Sequence, residues 1–287
     1  MKDLTFPRLH PHELLFGGFL LVTALRLMVS GGWGMGLGFA GMAMIIPAAA
    51  MVEARWRVTA MIRLRLLVLP VLVNVVYCML GAVVSRLNVG NRDAVLLRAD
   101  KWLFGETPSV LFSGWSSPFL TEMLSGCYLS FLPAVLLVFV ITLLRPGPAG
   151  FSLFDGIFGI YAIGFLGYTL VPAAGPHLAM PAAFRIPLEG GFLTKMNAAV
   201  ICSGSNHVDV FPSLHTAVTV FLMGWLWPRN RGLFLVLLLP AAGICVSTIY
   251  LRYHYAVDVA AGLVLAGIGL CLSHLTHKKH ELDPRFQ

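Results

Sequence analysis

Charge is what this sequence has least of. Asp, Glu, Lys and Arg make up 11% of its 287 residues, under half the roughly 25% of a soluble globular domain. With 58% hydrophobic residues and a mean hydropathy of +0.83, too little polar surface exists to cover a water-soluble particle. That excludes a soluble enzyme or a soluble binding module. Acidic residues are the scarcer sign, 13 against 20 basic ones. The resulting charge of +7 does not point to nucleic acid, because no run of Lys and Arg interleaved with aromatics exists. Cysteine is sparse as well. Cys78, Cys127, Cys202, Cys245 and Cys271 contain no C-x-x-C pair, which removes zinc-ribbon and dithiol redox chemistry. Four of them fall in apolar segments and read as small buried hydrophobes. Cys202 lies in a polar loop, either free or bridged to Cys127. Internal repeats and low-complexity tracts are missing too. The opening MKDLTFPRLHPHE runs into an apolar stretch without a small-residue cleavage site, so it does not read as a cleavable signal.

What fills the chain is long apolar runs. A membrane-crossing helix needs about 20 residues, and the sequence supplies roughly eight such stretches: 14–31, 34–52, 66–85, 124–144, 152–173, 212–227, 232–250 and 254–275. The expected fold class is all-α, a polytopic transmembrane helix bundle. Two longer polar connections, 86–123 and 174–211, interrupt it. The short turns at 53–65 and 228–231 are rich in arginine, whereas the short turn at 30–34 carries no charge. Basic short loops stay in the cytoplasm. Both termini are therefore expected there and both long connections outside, in a multi-pass cell-membrane protein.

Three segments carry chemistry: YTLVPAAGPH (168–177), VFPSLHTA (210–217) and STIYLRYHYAVDVAAG (247–262). The expected topology brings all three to the outer face. One helical hairpin separates His215 from His254, so the chain returns the second histidine to the depth of the first. His254 and Asp258, at i and i+4, are expected on one helix face. A carboxylate there fixes the imidazole tautomer and leaves the other ring nitrogen as a nucleophile. Ionisable side chains in a membrane helix point to function, although an interfacial ion pair and a water-exposed histidine are the structural alternatives. Pro212 suits a first helical turn, whose free N–H groups favour an anion beside His215.

These segments resemble the type 2 phosphatidic acid phosphatase superfamily, metal-independent membrane phosphatases and phosphotransferases. PSLH at 212–215 resembles its Pro-Ser-x-His motif. The run from Ser247 through His254 to Asp258 resembles its final Ser-Arg-x5-His-x3-Asp motif. GYTLVPAAGP, FPSLHTA, YLRYHYAVD and DKWLFGETP (100–108) look most similar to the inositol phosphorylceramide synthase branch. The resemblance covers roughly residues 95–275. It implies a six-helix phosphatase-like core, with His254 as a nucleophile forming a phosphohistidine, Asp258 orienting it, and His215 as general acid and then base. Substrates would be a phospholipid or polyprenyl phosphate and a lipid or alcohol acceptor, with no cofactor and no metal. The chain departs from the pattern in three places. The Lys-x6-Arg-Pro motif is absent, Thr248 stands where the last motif has arginine, and Leu214 replaces a frequent glycine. Arg252, Ser213 and His177 are the candidates for holding phosphate, with Arg185 and Lys195 weaker. Fewer cations suit a phosphodiester head group better than a phosphomonoester, which favours head-group transfer.

The expected organisation is thus N-terminal transmembrane helices over 1–94, a catalytic membrane domain over 95–275 and a solvated cytoplasmic tail over 276–287. Asp100 and Lys101 read as anchors of an interfacial segment, and the tryptophans as interface anchors. A lipid phosphate phosphatase would use the same three residues. A haem-binding carrier with His215 and His254 as ligands, or a transporter, would be a different class. The oligomeric state is not readable.

Overall fold

A computed structural model describes residues 7–56, 58–144 and 146–282. The described residues form helices and no strands, so the all-α class holds. In chain order they are α1 (Pro11–Val29), α2 (Trp33–Trp56), α3 (Thr59–Leu87), α4 (Asp93–Phe104), α5 (Pro108–Leu111), α6 (Pro118–Leu129), α7 (Phe131–Leu144), α8 (Pro148–Leu170), α9 (Pro176–Ala179), α10 (Phe192–Gly204), α11 (Leu214–Leu226), α12 (Arg231–Tyr250) and α13 (Ala256–Glu281). Seven segments are long and apolar enough to cross a membrane, α6 and α7 counting as one, and α11 is a shorter apolar helix. These eight correspond to the eight expected spans. Of the arginines in the 53–65 turn on which the expected orientation rests, Arg57 lies outside the described residues.

In a bundle where nearly every helix is apolar, hydrophobicity does not select which helix is central. Small residues do, by letting backbones approach. Helix α8 is the hub, packing against α1, α3, α11 and α13, with Phe151, Phe154, Phe158 and Phe165 almost fully buried. A Cβ at Gly156 would lie 2.9 Å from the Gly269 carbonyl of α13 and strike the Phe221 ring of α11. Glycine is therefore what lets three helices meet there.

One end of the bundle is tied by buried charge. Arg65 of α3 donates to both carboxylate oxygens of Glu13 on α1 at 2.5–2.6 Å and to Glu53 of α2 at 2.6 Å. Beside it, Asp155 of α8 pairs with His12 of α1 at 2.6 Å and His280 of α13 at 2.5 Å. This corrects the reading of the C-terminal segment as solvated. Helix α13 runs on to Glu281, and His280 is buried because it lies on the face that meets Asp155. Residues 283–287 lie outside the described residues.

The opposite end carries the two long connections, and both are built rather than open. Residues 86–123 hold α4, α5 and the start of α6, and residues 174–211 hold α9 and α10. The five cysteines are free. Cys78 and Cys271 are exposed on the sides of spans rather than buried as expected, since an outward face of a membrane helix needs only apolar character.

Candidate active site

Two short turns position the site. Helix α11 starts at Leu214, with Ser213 as its N-cap: the Ser213 hydroxyl accepts from Thr216 N. Pro212 therefore lies before the helix instead of in its first turn, because the serine supplies the cap. His215 follows in the first turn. Its ring stacks on Tyr128 of α6 at 4.6 Å and leans on Phe131 of α7 at 4.5 Å.

Helix α13 starts at Ala256, two residues after His254. His254 is thus not on the helix that carries Asp258, which corrects the shared-face reading. The chain between α12 and α13 folds into a tight turn, with Tyr253 N and His254 N both donating to the Thr248 carbonyl. Arg252 sits in the left-handed region at φ 67°. This turn delivers the His254 ring back to Asp258, with Nδ1 3.6 Å from Oδ2. That is just outside hydrogen-bond range, and both His254 Nδ1 and Asp258 Oδ1 are buried without a partner. Catalytic hydrogen bonds often tighten only when substrate binds. Asp258 is meanwhile anchored through Oδ2, which accepts from Tyr255 N at 2.8 Å.

The two histidine rings meet edge to face with centroids 5.9 Å apart. A backbone bond from Ser213 N to the Asp258 carbonyl, 3.1 Å, joins the two helix starts. Burial pushes the His254 imidazole down to about 4, opposed in part by Asp209 and the Val210 carbonyl.

The phosphate candidates are distributed unevenly. Ser213 is fully buried and its hydroxyl is engaged with Thr216. Arg252 donates to the Ile186 carbonyl at 2.6 Å and lies over the Phe184 ring, leaving its Nε unpartnered. His177 N donates to the Arg252 carbonyl at 2.9 Å, and burial lowers its pKa. Arg252, Tyr253 and His177 line a cavity of about 220 Å³ together with Thr194 and Asn197 of α10. Among the described residues, no group of His, Cys, Asp or Glu able to hold a metal forms.

Family comparison matches residues 94–272 to the model of the PAP2 superfamily. The chain belongs to the PAP2 superfamily. No curated protein and no solved structure matches it. Membership supports a lipid phosphatase or phosphotransferase role for this multi-pass membrane protein.

Two carboxylates of this PAP2-superfamily protein escaped sequence reasoning. Asp100, read as an interfacial anchor, is fully buried and caps α13. It accepts from Ala256 N at 3.0 Å, Val257 N at 2.9 Å and the Thr107 hydroxyl at 2.6 Å. Negative charge suits a helix N-terminus, so α4 fixes the start of the helix that holds Asp258. Asp93 accepts from Ala174 N, Gly175 N and the Tyr255 hydroxyl at 2.8–2.9 Å. It ties the PAAGPH segment to the residue after His254. The available signal was the face Asp93, Leu96, Asp100, at i, i+3 and i+7, on which two acids share an otherwise apolar stripe.

Proposed function

We propose that this protein is a membrane phosphotransferase acting on phospholipid head groups through a phosphohistidine on His254, in the manner of inositol phosphorylceramide synthases. The observation that carries the reading is the meeting of His215 and His254, from two separate helix starts, beside a buried carboxylate. In the first step the free imidazole nitrogen of His254 attacks phosphorus. The bond from phosphorus to the lipid oxygen breaks, and His215 delivers a proton to that oxygen. Asp258 closes on Nδ1 and stabilises the imidazolium character that develops. In the second step the acceptor hydroxyl attacks phosphorus, the N–P bond breaks, and the acceptor proton passes to His215. With a phosphomonoester lipid as substrate and water in place of the acceptor, the same residues make the protein a lipid phosphate phosphatase that releases inorganic phosphate. The scarcity of free cations near the two rings supports a singly charged phosphodiester as substrate. The site is assigned to the extracytoplasmic face, on the strength of the basic short turns at the other end.

Purified protein incubated with a chelator, a phospholipid panel and alcohol acceptors tests this by lipid mass spectrometry. A new head-group lipid from wild type, and none from His254→Ala or His215→Ala, is the expected result. Inorganic phosphate and dephosphorylated lipid alone would replace transfer with hydrolysis. Variants matching wild type would remove the site assignment.

A further inference from the structure

Helices α1 to α3 precede residues 94–272, the stretch matched to the family, and the chemistry above uses none of them. One polar contact nonetheless joins them to the site. Tyr77 of α3 donates its hydroxyl to Oδ2 of Asp209 at 2.6 Å, across 132 positions of sequence. The same hydroxyl lies 3.2 Å from the Gly204 carbonyl at the end of α10. The other carboxylate oxygen of Asp209 accepts from the Ser205 hydroxyl at a longer 3.4 Å. Tyr77 therefore makes the short bond to this carboxylate. Both residues are half-buried. An ionisable side chain held against a membrane-crossing helix is costly and points to function. A tie with no other purpose could be apolar, as it is for the fully buried Val76 and Leu80 on the same helix.

The place of Asp209 in the chain says what the contact can do. It begins the segment that leads to His215, and the residues after it reach the site. Val210 is buried in a small cluster with Leu96, Ala173 and Tyr255, the residue after His254. The Val210 carbonyl lies beside the His254 ring. Ser213 N donates to the Asp258 carbonyl at 3.1 Å, and Ser213 caps the helix that carries His215. The segment is thus held at its far end by α13 and at its near end by α3. Its two anchors are so close in sequence that freeing one moves what lies between them, the Val210 carbonyl included. A misplacement of about 1 Å can cost about a hundredfold in rate even when the altered residue is far from the chemistry. We infer that Tyr77 is a positioning residue for the proposed reaction: through Asp209 it holds the Val210–Ser213 segment against His254, so that the N-terminal helices complete the active site. This rests on the reading of His254 as the nucleophile. Neither Tyr77 nor Asp209 exchanges a bond or a proton with the substrate.

The test measures head-group transfer and phosphate release by the full chain in detergent, with thermal unfolding on the same preparations. Wild type, Tyr77→Phe, Asp209→Asn, the double variant and His254→Ala are compared. Tyr77→Phe removes a single oxygen, so it keeps the inference testable even if Asp209→Asn does not fold. Tyr77→Phe is expected to lower kcat by about tenfold or more. Its KM should change by less than about twofold, and the double variant should be no slower than Asp209→Asn alone, because residues that act as one unit are not additive. Wild-type kcat in Tyr77→Phe would overturn the inference. So would losses that multiply in the double variant. A loss of kcat that disappears on cooling well below the unfolding temperature would overturn it too, since that is the mark of a structural tie alone. Active His254→Ala would instead overturn the reading on which the inference rests.

Discussion

An imidazole attacks phosphorus only when neutral, so the protonation of His254 sets an acid limit on the proposed reaction. Burial lowers that pKa to about 4, against an ordinary value of roughly 6.5. The neutral form therefore persists above the folded-state pKa and is lost as pH falls through it. The expected kcat/KM profile of the free enzyme is free of a His254 limb between pH 7 and about 5, then declines below about 4. An acid limb at about 6.5 that disappears in a His254 variant would contradict this burial. Asp100 gives a second residue-scale expectation. Asp100→Asn keeps the shape but leaves one acceptor oxygen for three donors. A stability loss of about 1–3 kcal/mol is expected, with kcat falling more than KM rises, because the start of α13 shifts under Asp258. Turnover and thermal unfolding measured on the same preparation would check it, and an unchanged kcat would show that α4 does not position the site. The contrast between these residues explains what the sequence could reveal. His215, His254 and Asp258 lie at short, chemically telling spacings. Asp100 acts on residues more than 150 positions away, and only its place on a helical face hinted at burial.

Elements were readable where hydrophobicity alone decides them, which is why the seven long apolar segments and the shorter α11 were all expected. Their ends were not. The separation of His254 from Asp258 is the same whether the intervening turn is helical or not, and only the bonds to the Thr248 carbonyl settle that it is not. The approach of α13 to α11 was equally hidden, because it depends on missing Cβ atoms. At Gly262 an added Cβ would sit 2.6 Å from the Ser213 carbonyl and 3.1 Å from Thr216 Cβ. The first neighbour is backbone and cannot turn aside. Gly262→Ala should thus push the two helix starts apart, at a cost of about 1–3 kcal/mol. Since these starts carry His215 and Asp258, kcat should fall along with the melting temperature. A variant equal to wild type in both would mean that the helices separate without disturbing the site.

The whole molecule has two built ends, and they differ in kind. At one, Arg65 and Asp155 tie α1, α2, α3, α8 and α13 together through buried pairs. At the other, carboxylates from α4 and α6 bind helix starts around the two histidines. The C-terminal part of the first end reads from the sequence as a solvated tail because the apolar pattern of α13 stops before its helix does. The proposal that the histidine end faces outward rests on the basic short turns, and Cys202 offers a direct check. It is exposed on α10 at the histidine end. Cys78 and Cys271 face outward from the apolar sides of spans, where a charged reagent meets lipid, and Cys127 and Cys245 are partly buried. A membrane-impermeant maleimide added to intact cells should therefore label wild type and not Cys202→Ser. Labelling that requires permeabilised cells would place the site in the cytoplasm and reverse the orientation. In that case the lipid alcohol and the acceptor would both be drawn from the inner leaflet.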